Sequence, residues 1–178
     1  MSLYSSRVEN ALHLMLNLAR AGEAAAPSAR ELASFQRLPI PFVRRILTEL
    51  ASGGAVVSSE GLHGGWRLAR HADDISVQDV VAAVQGDAAL FECREIRARC
   101  ALWPDDQPPA AAVTGRCAIH AVMLSAESAM RNELTRHTIG DLVRRVQRKS
   151  ATADAAPKWF ATTRQRRVAA PSHEHDDE

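Results

Sequence analysis

Residues 28–68 read SARELASFQRLPIPFVRRILTELASGGAVVSSEGLHGGWRL, and this stretch decides the fold. Ser28 followed three residues later by Glu31 is a capping box that opens a helix from Ala29 to about Gln36. Leu38-Pro39-Ile40-Pro41 makes a turn, and Pro41 suits the first turn of a following helix. Phe42, Val43, Ile46, Leu47 and Leu50 then recur at helical spacing until Gly53-Gly54 ends the run. Ala55-Val56-Val57-Ser58-Ser59 predicts a strand, Glu60 to Gly65 a glycine-dense tip, and Trp66-Arg67-Leu68 the returning strand. Short helix, turn, helix and hairpin in this order is the layout of a winged helix-turn-helix head.

Working outward, Val8, Leu12, Met15, Leu16 and Ala19 give an amphipathic helix over Ser6 to Ala21. Ser76 with Asp79 opens a short helix to Val84, ended by Gly86. Residues 87–116 show no sustained periodicity and hold Cys93, Cys100 and three prolines, so they read as a functional loop or a disordered insert. Ile119, Val122, Met123, Ala126 and Met130 mark a long helix from Cys117 to Leu134, of the kind that packs on its copy in a dimer. A last short helix begins at Thr138-Ile139-Gly140-Asp141. The fold class expected is therefore mainly α with a small β wing. Its parts are a DNA-binding head over 1–86, a loop over 87–116, a dimerisation helix and last short helix over 117–149, and a disordered tail over 150–178.

Bulk properties narrow the class. The 178 residues are 46% hydrophobic, enough for a core. Three cysteines are too few for a disulfide scaffold. Acidic Glu9 interrupts the first apolar stretch, and no apolar run approaches the roughly 20 residues that span a bilayer, so a soluble cytoplasmic domain is expected. The net charge of +1 gives no basic excess that would announce a nucleic-acid partner. No phosphate loop, nucleophile elbow or paired catalytic carboxylates appear, so an enzyme and a small-molecule substrate are not expected.

Three groups of residues carry candidate chemistry. Pro39 and Pro41 lie at the approach to the reading helix and Arg44 and Arg45 on it, where arginine is the commonest guanine reader; solvation of a helix face is the alternative. Cys93, Cys100 and Cys117 with His120 form a loose metal pattern without any Cys-x-x-Cys, so structural zinc fits poorly and incidental thiols are the alternative. Glu9 and His13, four apart, emerge on one helix face, where a surface hydrogen bond or a core histidine would be the bland reading.

Together these pieces resemble the winged-helix iron–sulfur transcription regulators, the family of IscR, NsrR and RsrR. The likeness runs from about Ser5 to Val146. It rests on Glu9-Asn10-Ala11-Leu12-His13, Leu38 to Val43, Gly61 to Leu68, Ser76 to Val81, the three-cysteine loop and Thr138 to Leu142. It is greatest to the redox-sensing RsrR branch, through Val8 to His13 and Phe91 to Arg99. The resemblance implies a homodimeric regulator, read as a repressor, that binds a double-stranded DNA operator. DNA contacts are implied for Ser28, Pro39, Pro41, Arg44, Arg45, His63 and Gly64. It implies a 2Fe-2S cluster, with 4Fe-4S as the alternative, held by Glu9 and His13 of one subunit and by Cys93 and Cys117 of the partner subunit. NsrR-like ligation would use Cys93, Cys100 and Cys117 with Glu9, and IscR-like ligation the same cysteines with His120. A cluster-free thiol regulator and a winged-helix interaction module are the competing functions.

Overall fold

The computed structural model describes residues 4–22, 25–61, 64–86, 89, 91–99, 101–103, 107–149 and 154–169. They divide into one unit of 1–86 with 135–178 and another of 87–134.

In the first unit, helix α1 (Ser6–Ala21) turns Val8, Ala11, Leu14, Met15 and Leu18 inward. Helix α2 (Ala29–Gln36) begins with the expected capping box: Glu31 N donates to Ser28 Oγ at 3.2 Å, and Ser28 N donates to Glu31 Oε2 at 2.6 Å. Helix α3 (Ile40–Ser52) follows Pro39 and buries Val43, Ile46, Leu47 and Leu50 completely. Strands β1 (Val56–Ser59) and β2 (Gly65–Leu68) form the antiparallel wing, with Val56 opposite Leu68 and Ser59 opposite Gly65. The turn-side end of the wing, where β2 begins, sits tight against the start of α2. Trp66 N donates to the Pro27 carbonyl at 2.9 Å, and a Cβ on Gly65 would lie 1.9 Å from the Ala26 oxygen.

Helix α4 (Val77–Gln85) starts on the Ser76–Asp79 capping box. Helix α7 (Ile139–Lys149) starts on a like arrangement, in which Asp141 N donates to Thr138 Oγ1 and Thr138 N to Asp141 Oδ2, each at 3.1 Å. The two starts are joined: Val77 N donates to the His137 carbonyl at 2.8 Å and Ile139 N to that of Ile75 at 2.9 Å. Arg144 adds charge pairs to Asp73 at 2.7 Å and Asp141 at 2.8 Å. Thus α7, grouped in the sequence reading with the dimerisation helix, packs on α1 within the head.

The expected disordered tail is corrected in part. Residues Ala155–Ala169 form helix α8, which packs on α1 and buries Ala156 and Phe160. The reason is aromatic. Phe160 and Trp159 sit 4.8 and 5.1 Å from the Phe35 ring, centroid to centroid, so an Ala- and Arg-rich segment still carries enough apolar surface to dock. Residues 150–153 and 170–178 of that expected tail lie outside the described residues.

The second unit holds a 3-10 turn (Ile96–Arg99), the short helix α5 (Ala110–Val113) and the long helix α6 (Ala118–Thr135), with the last residue of α6 at the division. Helix α6 buries none of its residues and leaves Ile119, Val122 and Met123 exposed by 68%, 67% and 38%. Among the described residues no helix is long and apolar enough to cross a membrane.

Two outcomes follow for stability. Phe160→Ala removes the buried anchor of α8 and should cost about 3–5 kcal/mol in urea unfolding. Asp141 is held down to about 2 from 3.8, chiefly by the Thr138 backbone hydrogen bond and then by Arg144. A lowered carboxylate stabilises above its ordinary range and loses that contribution as pH falls. Asp141→Asn should therefore lower the melting temperature at neutral pH, and the gap to the unsubstituted protein should close between pH 3.8 and about 2.

Candidate nucleic-acid interface and candidate metal centre

The winged head exposes a short, mixed surface around α2, α3 and the wing. Pro39 caps α3 and Pro41 lies in its first turn, both exposed. Arg44 and Arg45 follow on the same helix but differ in their bonding. Arg45 Nε is 3.1 Å from Glu49 Oε1, whereas the Arg44 guanidinium holds no partner among the described residues. Ser28 accepts through Oγ from Glu31 N, which leaves its hydroxyl hydrogen free to donate. Gly64 is buried at the turn-side end of the wing and its carbonyl accepts from Arg167 at 3.1 Å. His63 lies outside the described residues.

Glu9 and His13 project from the outer face of α1, both exposed and both without a bond or ion pair among the described residues. Glu9 also lines a recess of about 410 Å³ with Tyr4, Ser5, Ser6, Val8 and Leu12. Two residues before Glu9, Arg7 reaches the opposite way. Its Nη1 meets Glu49 Oε1 of α3 at 2.9 Å and its Nη2 donates to the Val84 carbonyl of α4 at 3.2 Å. The same Glu49 oxygen holds Arg45, so one carboxylate joins α1 to α3.

In the unit of 87–134, Cys93, Cys117 and His120 line one cavity of about 560 Å³, together with Phe91, Arg97 and Ile119. Both thiols are free and half-buried. Cys100 lies outside the described residues. Arg97 organises this loop. Its Nε and Nη2 grip the two Glu95 oxygens at 2.5 and 2.9 Å, and Nη2 also donates to the carbonyls of Val113 at 3.2 Å and Gly115 at 3.0 Å. The hydrogen bond to Glu95 holds Arg97 more firmly charged, and the positive group lies within electrostatic range of Cys117 and Cys93. In return, that hydrogen bond lowers the Glu95 carboxyl below its usual range. Among the described residues no three His, Cys, Asp or Glu side chains are grouped as they would be around a metal ion.

Sequence reasoning passed over Arg97 and Arg167. An opposite charge two residues from Arg97, within an otherwise unpatterned loop, signals the first. The Trp159-Phe160 pair inside a polar tail signals the helix that carries the second.

With the geometry in view, comparison with known proteins assigns the chain. The model of the Rrf2 family, described as iron-dependent transcriptional regulator, matches residues 4–145. The chain is 29% identical over 140 residues to protein rrf2 of Nitratidesulfovibrio vulgaris, covering 79% of this chain and 86% of that protein. Among solved structures it is similar to IscR of T. potens, with a TM-score of 0.61 at 19% identity over 83% of this chain and 91% of that one. It is also similar to CymR of B. subtilis, titled the global cysteine regulator, with a TM-score of 0.58 at 21% identity over 80% and 96%. These two likenesses show the winged helix-turn-helix fold, and the family match shows a non-enzymatic regulator. The chain belongs to the Rrf2 family of DNA-binding transcriptional regulators.

Proposed function

We propose that this regulator acts in the cytoplasm as a homodimeric repressor whose DNA binding responds to an iron–sulfur cluster. The cluster is of the 2Fe-2S type, held by Glu9 and His13 of one subunit and by Cys93 and Cys117 of the partner subunit. One observation carries the reading: α1 presents Glu9 and His13 outward while Arg7, on the same helix, grips Glu49 of α3. The residues fit such a group. Two free thiols share one cavity beside a cation, and a carboxylate and an imidazole stand one turn apart on an open helix face. When bound, the cluster supplies a one-electron redox centre whose potential rises where imidazole replaces thiolate.

The chain's own part is mechanical. A shift of α1 moves Arg7, and Glu49, itself on α3, passes that shift on to its helix and to Arg45 through the same oxygen. Arg44, free of internal partners among the described residues, is the side chain of α3 best placed to meet a base edge or phosphate. The exposed Ile119, Val122 and Met123 of α6 supply the apolar face on which a second copy would pack, since an 18-residue helix that buries nothing gains little within its own chain.

Protein purified without oxygen should be coloured and carry about one 2Fe-2S cluster per chain. His13→Ala should abolish or shift the visible spectrum, and Cys100→Ala should leave it nearly unchanged; a colourless, iron-free protein sinks the proposal. A second reading, a cluster-free thiol sensor, draws on the free Cys93 and Cys117 in one cavity and on the likeness to a cysteine regulator. Iron analysis separates the two. Arg44→Ala should weaken DNA binding and reduce the slope of log affinity against log salt by about 0.9, the signature of one lost phosphate contact.

A further inference from the structure

Helix α8 lies beyond residues 4–145, the span that matches the family, yet its last turns reach the DNA-reading head. Arg167 Nη1 is 2.8 Å from Glu31 Oε2, and Nη2 donates to the carbonyls of Gly64 at 3.1 Å and Ala26 at 3.5 Å. Arg164 Nη1 donates to the Ala25 carbonyl at 2.7 Å. These partners belong to three neighbouring pieces: the capping box of α2, the loop before it, and the turn-side end of the wing. The ion pair is largely shielded, with side-chain exposures of 24% for Arg167 and 9% for Glu31. Glu31 Oε2 serves both as the cap of α2 and as the anchor of Arg167.

The loop needs such a fastening. Ala26 has φ of +32°, a left-handed conformation that a residue with a Cβ rarely adopts and that persists only where its surroundings fix it. The same segment is what the wing rests on, through Trp66 N and the close approach of Gly65. A planar guanidinium can satisfy a carboxylate and carbonyls at once, which a single ammonium cannot do in the same geometry.

We infer that Arg167 is a positioning residue for DNA recognition: from the C-terminal helix it straps the turn-side end of the wing to the start of α2, setting the wing's angle before DNA arrives. Its Nη1 and Nη2 are both engaged by internal partners, so it acts without touching phosphate. The inference rests on the reading that α2, α3 and the wing form the DNA face.

The test uses the full chain and a 30-base-pair duplex enriched from a random pool by the unsubstituted protein. Binding is measured by anisotropy over a salt series, with the active fraction fixed by stoichiometric titration. Arg167→Gln should weaken affinity about tenfold with an unchanged salt slope, since no phosphate contact is lost. Hydrogen exchange should quicken in residues 25–31 and 64–68 and stay as before in α4. Unchanged affinity overturns the inference. So does a slope smaller by about 0.9, which would make Arg167 a phosphate ligand itself. If Arg167→Gln does not fold, Arg167→Lys keeps the charge against Glu31 and loses the fork. It should then show the faster exchange in 64–68, and protection equal to the unsubstituted protein overturns the strap. Arg44→Ala reports on the DNA face separately. No effect there, alongside faster wing exchange in the Arg167 variants, removes the assigned face and keeps the strap.

Discussion

The head is assembled on one side of α1. Its inward residues Ala11, Leu14 and Met15 are wholly buried, and the helix packs against α3, α4, α7, α8 and β2. At about 25 cal/mol per Å² of apolar surface removed from water, this burial is a large stabilising contribution. It also leaves α1 nowhere to go but with its neighbours: close-packed interiors transmit displacement rather than absorb it. The outward side of the same helix bears Glu9 and His13, so whatever acts on those two side chains acts on the axis of the head.

Polar groups add direction to that packing. Arg7, Glu49 and Arg45 form a chain across α1 and α3, partly shielded at Glu49, whose side chain is 22% exposed. Arg144 holds the start of α7 against the 3-10 turn at Asp73. The Arg7–Glu49 and Arg144–Asp73 links join residues far apart in sequence and resist sliding of one element over another, which apolar contact alone opposes weakly. The cavity around Cys93 and Cys117 is organised differently. A single arginine collects loop carbonyls and a carboxylate there, so the loop is shaped by hydrogen bonds rather than by a core.

Much of this was legible in the sequence. The first three helices, the hairpin and the capping boxes at Ser28 and Ser76 follow from local periodicity and local hydrogen-bonding chemistry, which act over three or four residues. The pairing of Cys93 with Cys117 in one cavity rested on resemblance, because spacing of that length fixes no geometry. The docking of α8 was not legible. Its Ala, Thr and Arg content reads as solvated, and only the match of Trp159 and Phe160 to Phe35, on the far side of the chain, makes the segment a helix with a place to sit. Arg97 was only half legible for a related reason: Glu95 two residues away hints at it, but its carbonyl partners at Val113 and Gly115 are backbone acceptors, which leave no trace in a sequence.

The reach of α8 has a consequence for how the protein is made. Glu31 waits for a partner 136 residues further along the chain. A ribosome adding roughly 5–20 residues per second leaves the nascent head without its clasp for many seconds, with Phe35 unshielded and the loop at Ala26 unheld. The winged head, made before α8, is therefore among the last parts to be finished.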